Sequence, residues 1–260
     1  MDLGIKGRRA IVCASSKGLG RASAEKLAEA GVNLVLNARS EGPLEETAEA
    51  IRSAYGVEVT AVAADVTTDE GRAALLAAEP SADILVNNAG GPPPGLWSEW
   101  GEEEWRAAVT ANMLTPILLS TAVLPGMCER GWGRIVNITS ASVKSPIPEL
   151  GLSNGARAGL TGFVAGTARQ VARQGVVMNN LLPGAHWTDR LESNIAFRAE
   201  KAGLSYDDMK ARMEAGNPTG RMGEAAEFGA VCAFLCSQHV GFMVGQNVLL
   251  DGGAFNATMG

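Results

Sequence analysis

The sequence predicts an α/β domain: one parallel, doubly wound sheet of seven strands with helices on both faces, formed by the whole chain of 260 residues. Three observations carry this expectation. Short apolar runs rich in Val, Ile and Leu recur along the chain, longer amphipathic stretches separate them, and a glycine turn joins the first run to the first amphipathic stretch. Continuously apolar runs suit strands covered on both faces. Their alternation with helical stretches implies right-handed crossovers between parallel neighbours.

Taken in order, strands are expected at 8–14 (RRAIVCA), 32–38 (VNLVLNA), 57–64 (VEVTAVAA), 82–88 (ADILVNN), 133–140 (GRIVNITS) and 176–182 (VVMNNLL). A short seventh, NVLL at 247–250, precedes Asp-Gly-Gly. The first helix is expected over 20–31, where a glycine stops it, and a long one over 104–127. Another is expected over 153–173, with Ser153 as its N-cap. The GGPPPG cluster at 90–95 reads as a loop, and 184–222, which follows the sixth strand, as a helical lid over the ligand crevice.

Composition narrows the function. With 46% hydrophobic and 19% charged residues the chain can bury a continuous core, which excludes a disordered protein. A net charge of -6 argues against a nucleic-acid surface, and the acidic excess suits a soluble protein. The N-terminal stretch has neither the apolar run of a signal peptide nor that of a membrane span. The cysteines, Cys13, Cys128, Cys232 and Cys236, read as core thiols in a reducing cytoplasm. Only two histidines are present, so no metal site is expected.

The glycine turn CASSKGLGRA (13–22) lies between the first strand and the first helix. There Ser15, Ser16, Lys17, Gly18, Leu19 and Gly20 would bring backbone N–H groups and a helix N-terminus to a pyrophosphate. The turn, with Asn87-Asn88-Ala89-Gly90 after the fourth strand, AADV at 63–66, LLPGAHWT at 181–188 and GQNVLLDGG at 245–253, resembles the short-chain dehydrogenase/reductase family over nearly the whole chain. The resemblance implies a Rossmann-type fold that binds a nicotinamide dinucleotide. It places Asp65 and Val66 at the adenine, Asn88, Ala89 and Gly90 along the cofactor, and Pro183, Gly184 and Thr188 beside the nicotinamide. One departure is the first glycine of the family's turn, replaced here by Ala14.

The second strand ends in Asn-Ala-Arg-Ser, without the acid that accepts from a ribose 2′-hydroxyl in NAD enzymes. Arg39 and Ser40 follow at once, and Lys17 stands in the glycine turn. Two cations converging on a 2′-phosphate favour NADP(H) over NAD(H).

The larger departure lies in the catalytic set. The family's Asn and Ser are matched by Asn112 and Ser140, but its Tyr-x-x-x-Lys pair falls at Ser153 and Arg157. In the family the tyrosine donates the proton that accompanies the hydride. A serine is a far weaker acid, and arginine, while able to hold ribose hydroxyls, keeps its proton. Losing a positioned acid costs roughly 10²–10⁴ in rate. Substitutes include His186, which titrates near neutrality, Glu149, Lys144, Tyr206, or a water held by Ser140 and Ser153.

The expectation is an atypical NADP(H)-dependent oxidoreductase acting on a small carbonyl or alcohol, similar to 3-oxoacyl carrier-protein reductases in length and closing motif. Two alternatives stay open. One is an NADP-binding homologue without turnover. The other is non-redox, dehalogenase-like chemistry, although halohydrin dehalogenases keep the tyrosine and change the nucleotide loop. The resemblance further implies a homo-oligomer, dimer or tetramer, joined through the helices at 104–127 and 153–173. Trp187 is open to two readings, a wall of the substrate pocket or packing within the lid.

Overall fold

Alternate residues of a strand face opposite sides of a sheet, and the apolar runs of this chain supply a core on each side. In the computed structural model, which describes residues 1–258, the strands are β1 (Arg9–Val12), β2 (Asn33–Ala38), β3 (Val59–Ala63), β4 (Ile84–Asn87), β5 (Gly133–Ile138), β6 (Val176–Pro183) and β7 (Asn247–Leu250). All seven are parallel in the order β3-β2-β1-β4-β5-β6-β7. Ala10, Val12, Leu36, Val86 and Val136 face one core. They pack with helices α1 (Gly18–Glu29), α2 (Glu41–Tyr55) and α9 (Ala225–Leu235), through Leu27, Leu44 and Phe228 among others. Ile11, Val35, Leu85 and Ile135 face the other. They pack with α3 (Asp69–Ala78), α5 (Thr115–Glu129) and α6 (Gly151–Val171), through Leu75, Leu119 and Val164. The doubly wound sheet is therefore as expected, and the strand order reverses between β1 and β4.

The expected strands stand, trimmed where their ends enter loops. β1 stops at Val12 because Ala14 turns to φ 47°, in the left-handed region. The helix expected over 104–127 is broken into α4 (Glu102–Val109), a π turn over Thr110–Leu114, and α5. Pro116 explains the break. It has no N–H for the carbonyl four residues back, that of Asn112, and its ring clashes there. The ladder slips, and Thr115 donates to the Thr110 carbonyl five residues back.

α6 starts at Gly151, so Ser153 lies inside its first turn and is not its N-cap. The Ser153 hydroxyl accepts from Arg157 Nε at 3.2 Å instead. Glycines on this helix let tryptophans close in: a Cβ on Gly151 would meet the Trp100 ring at 2.4 Å, and one on Gly155 the Trp105 ring at 3.0 Å.

The segment 184–222 forms two helices, α7 (Asp189–Ala202) and α8 (Tyr206–Ala215). They close a small core of Leu191, Ile195, Ala199, Met209 and Met222, against which Trp187 packs. Lys210 stacks on the Trp187 ring at 5.0 Å, so this tryptophan packs within the unit. All four cysteines are free, and only Cys128 is not fully buried. Among the described residues, Glu102–Glu129 is the one helical run long and apolar enough to cross a membrane by length and composition.

Candidate nucleotide crevice and active site

Reversal of strand order opens a crevice beyond the C-terminal ends of β1 and β4. The turn leaving β1 is shaped for close approach. Asn88 Nδ2 donates to the Ala14 carbonyl at 3.3 Å, and a Cβ on Gly20 would strike that same oxygen at 2.2 Å. Gly18 holds φ 58°, and α1 begins there with no side-chain cap and no acid in its first turn. Its first N–H groups therefore remain available to an anion. The Pro183-Gly184 turn approaches from the far side. Gly184 N donates to the Leu250 carbonyl at 2.8 Å, Thr188 caps α7, and its methyl carbon would lie 3.5 Å from a Cβ on Gly18.

On the other flank, Ser15 N donates to the Asn37 carbonyl at 3.0 Å, and Thr47 Oγ1 holds the Ser16 carbonyl at 2.9 Å. Asn37 turns its amide inward to the carbonyls of Val62 and Ala64, both at 3.0 Å. The end of β2 thus presents no carboxylate, only exposed Arg39 and Ser40. Arg39 shares a groove with Asp65, Thr67, the α4 face of Glu102, Glu103 and Arg106, and Ala111 of the π turn. Hydrogen bonds from the Thr67 hydroxyl (2.7 Å) and backbone N–H (2.9 Å) hold the Asp65 carboxyl below its usual range, helped by the Arg39 charge.

Lys17 departs from the expectation. Its Nζ lies 2.5 Å from Asp189 Oδ2 instead of converging with Arg39, because α7 brings that carboxylate over the glycine turn. Both partners are well exposed, so the pair is weak.

Ser153 and Arg157 stand together at the crevice's inner end. Arg157 is buried, with Nη1 on the Ile138 carbonyl at 2.6 Å, Nη2 on the Ala89 carbonyl at 3.4 Å and Nε on Ser153. Burial, followed by the nearby charge of Arg190, pushes its guanidinium down to about 10. A small cavity lies between Arg157 and the π turn. It is lined by Cys13, Val66, Asn88, Ala89 and Asn112, and both Asn112 Oδ1 and Thr115 Oγ1 are buried there without a partner. Burial pushes the Cys13 thiol up to about 12, which keeps it an inert wall. Ser140 follows β5, two residues beyond the carbonyl that holds Arg157, and its Oγ accepts from Ser142 N at 3.1 Å.

The family profile described as "Enoyl-(Acyl carrier protein) reductase" matches residues 13–254. The chain belongs to the short-chain dehydrogenase/reductase family. It is 33% identical over 259 residues to the 3-oxoacyl-acyl-carrier-protein reductase FabG of Vibrio cholerae, covering 97% of this chain and 99% of the relative. The structure of L-sorbose reductase from Gluconobacter frateurii, complexed with NADPH and L-sorbose, superposes with a TM-score of 0.92. That pair is 30% identical and covers 99% of this chain and 100% of the other. An NADPH-dependent reductase involved in bacilysin biosynthesis gives a TM-score of 0.91 at 27% identity, covering 97% and 100% of the two chains.

Within this short-chain dehydrogenase/reductase, His186 does not join the other candidates. Beyond Gly184 the chain bridges to Gly223, and this sends the imidazole into the wall, 5.4 Å from the Phe228 ring and edge-on to it. A Cβ on Gly223 would touch the imidazole at 2.7 Å. Only 5% of the residue is exposed, and burial lowers its pKa. This burial against Phe228 and Gly223 counts against His186 as the proton donor. Tyr206 sits on the surface at the start of α8, Lys144 stacks 5.9 Å from Phe255, and the Glu149 carbonyl accepts from Gly95 N at 3.0 Å.

One residue of the site escaped the sequence reading. Arg190, on the first turn of α7, donates to the Pro92 carbonyl and lies over Gly91. Its distance in sequence from that loop hid it; the only signal was its place two residues after Thr188.

Proposed function

We propose that this chain binds NADP(H) in the crevice and transfers a hydride between the nicotinamide and a small carbonyl or alcohol. The observation that carries the reading is the glycine turn. Its Gly20 has no room for a Cβ beneath the Ala14 carbonyl, while the helix behind it begins uncapped and without an acid. That donor set fits a diphosphate. Arg39 and Ser40, in place of an acid after β2, fit a 2′-phosphate. The NADPH named for the two neighbouring reductases supports the same choice.

When bound, the dinucleotide supplies or accepts the hydride. The chain's own residues handle the charge and the proton on the substrate oxygen. Ser153 and Arg157 stand where the family's resemblance places tyrosine and lysine. Because Arg157 Nε donates to Ser153 Oγ, the serine's own proton is directed elsewhere and its hydroxyl is polarised as a donor. Ser140 offers a second hydroxyl. Arg157, held by two carbonyls, keeps positive potential beside any oxygen that gains negative charge. A specific observation also favours NADP binding without turnover: neither a phenol nor an ammonium stands at Ser153 or Arg157.

The α7–α8 pair serves as a lid over the crevice, with Lys17–Asp189 as its contact to the glycine turn. Leu114 and Leu118, exposed on the π turn and α5, form part of a homo-oligomer interface. Free thiols and the net negative charge fit a cytoplasmic enzyme without a nucleic-acid or membrane partner.

The test is a carbonyl and alcohol screen that follows nicotinamide absorbance after titration with NADPH and NADH. Oxidation of NADPH by a member of the screen supports the oxidoreductase. Tight NADPH binding with no oxidation across the screen transfers support to the binding-only reading, and substrate loss without nicotinamide change to non-redox chemistry.

A further inference from the structure

Two arginines bracket the loop that follows β4. Arg157 reaches the Ala89 carbonyl from the sheet side, and Arg190 reaches the Pro92 carbonyl from the lid side, with Gly91 beneath its guanidinium. A Cβ on Gly91 would lie 3.4 Å from that guanidinium, so the loop offers it a close and nearly bare backbone face. Among the described residues no carboxylate lies within ion-pair distance of either cation. Asp189, the acid next in sequence to Arg190, is engaged by Lys17.

We propose that the substrate carries a carboxylate or phosphate, and that Arg190 binds it at the mouth of the site while Arg157 keeps the inner side positive. This rests on the oxidoreductase reading above and deepens it. Arg157 is buried and Arg190 half-buried, and cations drawn from water with no counter-charge are costly unless a ligand offsets them. Burial lowers the pKa of both, consistent with that cost. Arg190 also stands in the first turn of α7, beside Asp189 and Glu192, where the helix dipole disfavours a cation. An anionic group docked there meets the Arg190 guanidinium in a charge-assisted hydrogen bond. The dinucleotide's own diphosphate is already provided for by the glycine turn and the uncapped α1, and Arg190 is held instead on the Pro92 carbonyl of the loop after β4.

The test uses paired probes that differ in charge: acetoacetate and acetoacetamide, 2-oxobutyrate and 2-oxobutyramide, dihydroxyacetone phosphate and dihydroxyacetone. Each is titrated calorimetrically into the protein with and without saturating NADP⁺. At least one anion should bind roughly tenfold or more tightly than its neutral partner, the range of a charge-assisted hydrogen bond pair. Arg190→Gln should erase that preference and Arg190→Lys recover part of it, with NADPH affinity changed less than about threefold. Equal binding of all pairs, or a preference that survives Arg190→Gln, overturns the proposal. So does a loss of NADPH affinity in Arg190→Gln as large as the loss for the anion, since it assigns Arg190 to the cofactor. Failure to bind either nicotinamide sinks the parent reading alone, because the pairs are also titrated without cofactor.

Discussion

Among the described residues Ala14 is the one non-glycine residue in the left-handed region, at φ 47°, where a β-carbon costs about 1–2 kcal/mol. Its carbonyl is the surface on which Gly20 and Asn88 meet, so the strain sits in the wall of the cofactor turn. Ala14→Gly should raise stability by about 1 kcal/mol in urea unfolding; an unchanged or lower midpoint would show that the strain is relieved locally. His186 carries a different liability. Burial lowers its pKa from an ordinary 6.5, against smaller opposing contributions from Gly184 and from the Glu227 and Asp251 charges, with Arg221 adding to the depression. As pH falls below the ordinary histidine value, the unfolded chain takes up a proton that the folded one resists, so stability falls with it. Unfolding midpoints measured from pH 8 to 5 should decline, and His186→Gln should flatten that decline without abolishing nicotinamide binding; a wild-type slope in the variant would refute the assignment. The sequence made His186 attractive because it follows the Pro-Gly turn. Which way an imidazole points is decided by the bridge to Gly223, a pairing no local pattern reveals.

Among the elements, the break between α4 and α5 has the most direct link to function. Pro116 shifts the ladder to a π turn, and Asn112, inside it, is thereby set at the cavity wall opposite Arg157. Pro116→Ala restores the missing N–H and should regularise the helix. We expect little change in thermal midpoint but a fall of about 10² in turnover, the scale of a misplaced catalytic group; retained turnover would remove the π turn from the mechanism. Strands and the glycine turn were legible in the sequence because apolar runs and glycine spacing are local signals. The helix at 104–127 read as continuous because its apolar period hides a one-residue slip, although Pro116 was in plain view. The Ser153 N-cap failed for a related reason: a serine near a helix start looks like a cap unless a partner four residues on claims its hydroxyl.

For the molecule as a whole, the same winding that buries two cores leaves Leu114 on the π turn and Leu118 on α5 exposed, the latter at 45%. The proposed homo-oligomer should fall to a smaller species in sedimentation velocity on Leu118→Glu; a wild-type chain that sediments as a monomer would contradict the interface. The glycine turn, the Pro-Gly turn and the loop after β4 are far apart in sequence, and only the strand reversal brings them around one crevice. Sequence motifs named most of these pieces. They could not show that Lys17 would pair with Asp189, or that Arg190 would arrive beside Arg157, because both depend on how α7 folds back. The most direct measurement is calorimetric titration of the purified protein with NADPH and NADH. The account expects NADPH to bind at least about tenfold more tightly, with the preference lost in Arg39→Ala and both affinities lost in Gly20→Ala. No binding of either nucleotide, or binding that survives Gly20→Ala, would contradict it.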